Sequence, residues 1–308
     1  MKNFYFYLAL AAITLSLASC GDGNAPDYVY LSANAPEGAI KGVFSVGENT
    51  KVYFSKGNLQ YKYYYMYTLQ GDGGWQGFWC FADNQWESLG GAKNLTIGKP
   101  LAINDMLHID LFGWATRDNP TNYSMDDEDY PKKFLDWGDN PITNGGNKEK
   151  QWRTLSADEW AYLIHRDNDQ KFGLGTVNDV KGMIILPDNW QMPAKVTEVF
   201  HASVKNGLKL EENGAFYNND KNNYEHNTFA GDEWNAMQDN GALFLPIAGA
   251  RRSNTYMFFP DVFGDYWTST INDGTALYFS FNNYCVNPKD ESTELGLGTS
   301  VRLVQDIK

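Results

Sequence analysis

The chain of 308 residues is sparing with the residues that most often carry chemistry, holding three cysteines and four histidines. His108, His165, His201 and His226 stand apart, with no HxxxH or CxxC spacing, so no zinc site is written into the sequence. A Gly-x-Ser-x-Gly elbow is missing, and no glycine-rich phosphate loop follows a strand, which removes two common enzyme signatures. Lys and Arg form no cluster, and the formal net charge is -13. Such a surface does not attract a phosphate backbone, which excludes nucleic acid as a partner, and it keeps the domain off an anionic bilayer. The one strongly apolar run, from Tyr5 to Leu17, falls short of the ~20 residues of a spanning helix. Neither an internal repeat nor a linker interrupts residues 40–308.

What is present begins with a leader. Lys2 gives a basic start, the apolar run follows, and Leu17-Ala18-Ser19-Cys20 closes it with small residues. This run resembles the lipobox of bacterial lipoproteins. The resemblance implies that residues 1–19 are a signal peptide and that Cys20 carries the acyl chains, palmitate among them. Several chains on one residue anchor durably where one would not. The implied location is the outer membrane and cell surface, reached through lipid alone. Residues 20–40, rich in Gly, Asp, Asn and Pro, read as a tether, and 41–308 as one domain. With Cys20 assigned to lipid, Cys80 and Cys285 are left. They can pair in an oxidising compartment or remain as two buried free thiols.

The hydrophobic share of 43% supports a substantial core, and 15% aromatics with 29 glycines favours short strands and turns over a bundle. Strands are expected at 43–46 and 51–55 around Gly47-Glu48-Asn49, at 59–69, at 75–86, and at 242–246, 266–270, 276–281 and 300–304. Residues 117–150 form a long polar excursion containing Asp126-Asp127-Glu128-Asp129. Ser156 and Glu159 make a capping box, and Trp160, Leu163 and Ile164 share the buried face of the helix behind it. A second helix is expected from about Ala230 to Asp239, with Trp234 and Met237 inward and Asn240-Gly241 as its stop. The fold class is α+β.

Trp152-Arg153-Thr154-Leu155-Ser156-Ala157-Asp158-Glu159-Trp160 resembles the strand-to-helix segment of the formylglycine-generating-enzyme (sulfatase-modifying factor) family. Irregular loops, Tyr266-Trp267-Thr268-Ser269-Thr270 and Ser300-Val301-Arg302-Leu303-Val304 follow in the family's order. Phe54 to Tyr61 and Asp110-Leu111-Phe112-Gly113-Trp114 extend the likeness toward the N-terminus, as in Bacteroidetes surface lipoproteins with this domain. The resemblance implies a C-type-lectin-like fold, in which a small twisted sheet joins the chain ends and long loops carry function. The family's copper chemistry needs a close pair of cysteines in the C-terminal part, where only Cys285 stands, so the copper-dependent oxidase reading lacks its site. The calcium-dependent sugar triplets of lectins are also missing. Calcium remains an option at Asp126 to Asp129, where hard oxygen ligands cluster, and the alternative there is a solvated acidic face.

The 38 acids offer many carboxylate pairs and no flanking motif that singles one out. Aromatic and loop residues are the stronger candidates for binding. Tyr63 and Tyr65 share one strand face, with Trp75 after the glycine turn, and aromatic faces stack on sugar rings or anchor interfaces. Arg251, Arg252, Tyr256, Asn283 and Tyr284 lie in C-terminal segments that read as loops, of the composition binding loops use. Together these readings describe a non-catalytic surface module whose ligand is a glycan or a protein. The alternatives are an adhesin or fimbrial assembly component, and a divergent formylglycine-generating-type enzyme.

Overall fold

The computed structural model describes residues 34–67, 73–89, 107–206, 208–217, 223–253, 256–258, 261–292 and 294–308. The leader, Cys20 and most of the tether lie outside the described residues. Packed structure begins slightly ahead of the expected boundary at 41. Ala39 bridges Ser55, and the Ile40 amide donates to Phe54 O at 2.9 Å. Ile40 is buried because its side chain joins the main core.

The chain is α+β. Its first strands, β1 (Phe44–Ser45) and β2 (Lys51–Phe54), form a four-stranded sheet with β6 (Arg153–Thr154) and the last strand, β18 (Leu303–Asp306), in the order β1-β2-β18-β6. The first and last of the described strands are thereby brought into one sheet, with Val304 opposite Phe54. A three-stranded sheet holds β3 (Leu59–Tyr67) between β4 (Gly73–Phe81) and β5 (Leu107–Ile109). The β4 strand stops at Phe81, short of the expected 86. Beyond it Gln85 is drawn inside, where its amide donates to Ala242 O at 3.0 Å.

Helix α1 (Ala157–His165) forms as its sequence dictates. Ser156 Oγ accepts from the Glu159 amide, and Glu159 Oε2 accepts from the Ser156 amide at 2.8 Å. Its buried face carries Trp160, which stacks on Phe279 at 4.7 Å between ring centroids. Helix α2 (Gly231–Asp239) buries Trp234 and Met237, and Gly241 at φ +92° ends it in the left-handed region.

The stretch after α1, read as irregular loops, instead contains a hairpin of β7 (Phe172–Val177) and β8 (Val180–Ile185). It turns at Asn178 and Asp179, both with positive φ. These strands join β11 (Thr228–Phe229) and β12 (Leu243–Pro246) in the order β11-β7-β8-β12. A five-stranded sheet runs β15-β16-β17-β10-β9, from β15 (Gly264–Asn272), β16 (Thr275–Phe281), β17 (Cys285–Ser292), β10 (Phe216–Tyr217) and β9 (Lys209–Leu210). Arg251 and Arg252 lie in β13 (Ala250–Arg252) and Tyr256 in β14 (Tyr256–Phe258), so that expected loop is a hairpin as well.

One core lies between the β1-β2-β18-β6 sheet, α1, the β7-β8-β12 strands and β16. A second, rich in tryptophan, fills the space under β3 and β4 with Trp79, Trp114, Trp137, Trp152 and Trp267. Three of those indoles donate to backbone carbonyls, Trp114 to Thr268 O, Trp152 to Gly145 O and Trp267 to Phe112 O. A third lies beneath α2.

Candidate ligand-binding cleft

The β3–β4 ribbon pairs Tyr61 with Trp79, Tyr63 with Gly77 and Tyr65 with Trp75. Strand alternation puts these positions on one face. Tyr61 lies against Trp79 at 4.9 Å and against Tyr63 at 5.9 Å. Gly77 makes this arrangement possible, because a Cβ there would stand 1.9 Å from the Tyr61 hydroxyl.

The polar excursion lies along the outer edge of β4. Ile142 bridges Trp79 in parallel, the Thr143 amide donates to Trp79 O at 2.9 Å, and Asn144 brackets the backbone of Phe81 with two hydrogen bonds. Between ribbon and excursion lies a cleft of about 470 Å³. Tyr61 and Trp79 supply its aromatic side, with Gly77 and Phe78 of the same strand along the edge; Arg117, Asp118, Asn140, Thr143 and Asn147 supply the polar one. The volume falls in the range of small-molecule sites.

Arg117 organises the polar wall. Its Nε and Nη2 donate to the two oxygens of Asp118, and its Nη1 donates to Asp139, each at 2.8 Å. The bidentate bond holds the Asp118 carboxyl below the usual range and raises Arg117 above its ordinary value, so both stay charged. Burial raises the Tyr61 hydroxyl and pushes Tyr63 up to about 12, so both act as neutral donors. The wall therefore presents fixed dipoles and a neutralised guanidinium beside aromatic rings. An aromatic side opposite hydrogen-bonding groups offers contacts for both the faces and the hydroxyls of a ring-shaped molecule.

Of the residues nominated from sequence, Tyr63 sits half-buried beside this cleft and packs on the tryptophan-rich core. Tyr65 and Trp75 are in register further along the ribbon, and their side chains lie outside the described residues, as does that of Tyr256. Arg251 is wholly buried and belongs to the core. It donates to Leu111 O and Ser253 O and lies 4.2 Å above the Tyr123 ring, and burial holds its pKa down to about 10. Arg252 is exposed and paired with Glu294. Asn283 and Tyr284 form the turn between β16 and β17, where Asn282 Oδ1 accepts from the Tyr284 amide at 2.7 Å and leaves Tyr284 53% exposed. The sequence marked the excursion, with Asp126 to Asp129 as a calcium option, but singled out none of the residues that line the cleft. The Asn, Thr and Pro of 117–147 were the available signal.

Cys80 and Cys285 are free thiols, each raised by burial to about 11. The acids of 126–129 turn to separate partners. Asp126 accepts from the Glu128 amide, Asp127 from the Leu295 amide, Glu128 pairs with Lys132, and Asp129 accepts from Ser124. Among the described residues no three acids, histidines or cysteines converge to share an ion. Comparison with family models, curated proteins and solved structures gives no match.

Proposed function

We propose that this chain is a non-catalytic surface module, held to the membrane by acyl chains on Cys20, that binds a glycan in the cleft between the aromatic ribbon and the 117–147 excursion. The cleft carries the reading: the Tyr61 and Trp79 side of the ribbon faces a hydrogen-bonding wall across a space of about 470 Å³. Sugar recognition needs an apolar face for the ring and directional partners for the hydroxyls. The pairing of the first strands with the last supports a C-type-lectin-like architecture. Attachment through lipid is compatible with the finding that no helix among the described residues is long and apolar enough to cross a membrane.

The test is a glycan array probed with the purified protein, followed by titration of any hit against Tyr61→Ala and Arg117→Ala. Each substitution is expected to weaken binding at least tenfold, about 1.4 kcal/mol. If no glycan binds and a pull-down recovers a surface protein, the adhesin or fimbrial-component reading replaces this one. Stoichiometric Cu(I) binding with oxygen uptake would restore the oxidase reading.

A further inference from the structure

A second cavity, of about 310 Å³, opens on the five-stranded sheet. Tyr266, Phe279 and Phe281 point into the main core, so alternation turns Asp265, Tyr278 and Ser280 to the other face, where they line the cavity with Asp290. Asp265 is only 8% exposed. Its Oδ1 accepts from Ser280 Oγ at 2.7 Å, and among the described residues nothing donates to its Oδ2. Oδ2 is reached from the cavity, so the carboxylate offers a charged acceptor to any donor that enters it.

The surroundings say what that donor is. Asp290, Glu291 and Glu294 share the lining with Asp265, and the one base among them, Arg252, is already paired with Glu294. The field is negative, which selects a cation. Among the described residues no three of these acids converge to chelate a bare ion. Phe263 and Tyr278 add apolar surface for an organic body. An ammonium group brings three donors and a charge on such a body.

We propose that this cavity binds a small molecule bearing a primary ammonium group, which donates to Asp265 Oδ2. The site is independent of the glycan cleft.

Proton linkage follows. Burial pushes Asp265 up to about 7, with the charge of Asp290 adding to the rise. Asp290 is itself raised by burial, although the Glu291 amide and the Tyr278 hydroxyl bond to its charged form; Tyr278 stays neutral. Arg252, Glu291 and Glu294 are the remaining charged groups facing the pair. An arriving ammonium expels the Asp265 proton, so affinity falls as pH drops below about 7.

The experiment is calorimetric titration of the purified full chain with glucosamine, lysine and pentylamine, each beside its neutral counterpart: glucose, norleucine amide blocked at nitrogen, and pentanol. This separates an amino sugar, an amino acid and a simple amine as sources of the same group. At pH 8 at least one amine is expected to bind tenfold or more tightly than its counterpart. Its affinity is expected to drop at least tenfold by pH 5.5, with proton uptake by the buffer. Asp265→Asn, which keeps the side chain's shape, is expected to lose that binding and most of its pH dependence while still unfolding cooperatively. Tyr61→Ala is expected to leave it unchanged. The proposal is overturned if none of the amines binds, if the neutral counterparts bind as well, or if Asp265→Asn binds undiminished.

Discussion

At Asp265 stability and binding pull in opposite directions. Its carboxyl titrates near 3.8 in the unfolded chain and near 7 when folded. Between those values the folded chain holds a proton that the unfolded chain has lost, so the unfolding free energy falls as pH rises through the window. Below 3.8 both states are protonated and the penalty vanishes; above 7 it is complete. At 1.36 kcal/mol per unit the ceiling is about 4 kcal/mol. Asp265→Asn removes the titration, so its urea midpoint is expected above that of the parent at pH 8 and level with it at pH 4. Equal midpoints at both values would show that water already satisfies Oδ2. The two buried arginines make a useful contrast. Arg302 is 1% exposed, donates to Asn58 Oδ1 and Gln85 Oε1, and burial holds its pKa down to about 10. Arg251 behaves alike, through carbonyl acceptors. Both cross-link distant segments, whereas Asp265 turns Oδ2 to a cavity.

Among the elements, the β3–β4 ribbon shows how a local rule shapes the cleft. A methyl at Gly77 displaces the tip of the Tyr61 ring, a movable side-chain end. Gly77→Ala is therefore expected to change stability by less than about 1 kcal/mol, because the ring can swing aside without opening a cavity. It is expected to lower glycan affinity severalfold, since that ring lines the cleft; Tyr61→Ala in the same background should make Gly77→Ala silent in a double-mutant cycle. At α1, loss of the Ser156 hydroxyl strands the Glu159 amide. Ser156→Ala is expected to cost about 1 kcal/mol in urea unfolding. That helix was fully legible, because Ser156, Glu159, Trp160, Leu163 and Ile164 act within two turns of one another. The β7–β8 hairpin was not. Its strands carry Gly173, Gly175 and Gly182, which depress any strand signal, yet a Cβ at each would meet the backbone of His201, Asn227 and Leu245 within 2.6 Å. Their reason lies in segments far along the chain. Similarly β17 contains Pro288 and charged neighbours. It is a strand because β16 pairs along it and the irregularity between Tyr278 and Ser280 makes room beside the proline. The cleft was half legible: the tyrosine strand and the polar excursion could each be seen, but their meeting depends on Thr143 and Asn144 bonding to β4.

For the molecule as a whole, the decisive segment is β18 with the residues just before it. Gly298, Thr299 and Ser300 bridge Arg251, Phe112 and Tyr266, and β18 then inserts between β2 and β6. Leu303 enters the tryptophan-rich core and Val304 the main one, both wholly buried. Two cores and two strand partners thus depend on the final residues, while β2 and β6 do not pair with each other. Deleting residues 303–308 leaves β2 and β6 with open edges and two apolar faces uncovered, a loss far larger than the few kcal/mol by which a domain is stable. The truncated chain is expected to show no cooperative urea transition and to be cut rapidly by protease at sites the full chain protects. A truncated chain that still unfolds cooperatively with the parent's m-value would show instead that the β1-β2-β18-β6 sheet is an ornament on a core complete without it. The same long-range pairing makes folding slow, because β2 must wait for a partner some 250 residues downstream.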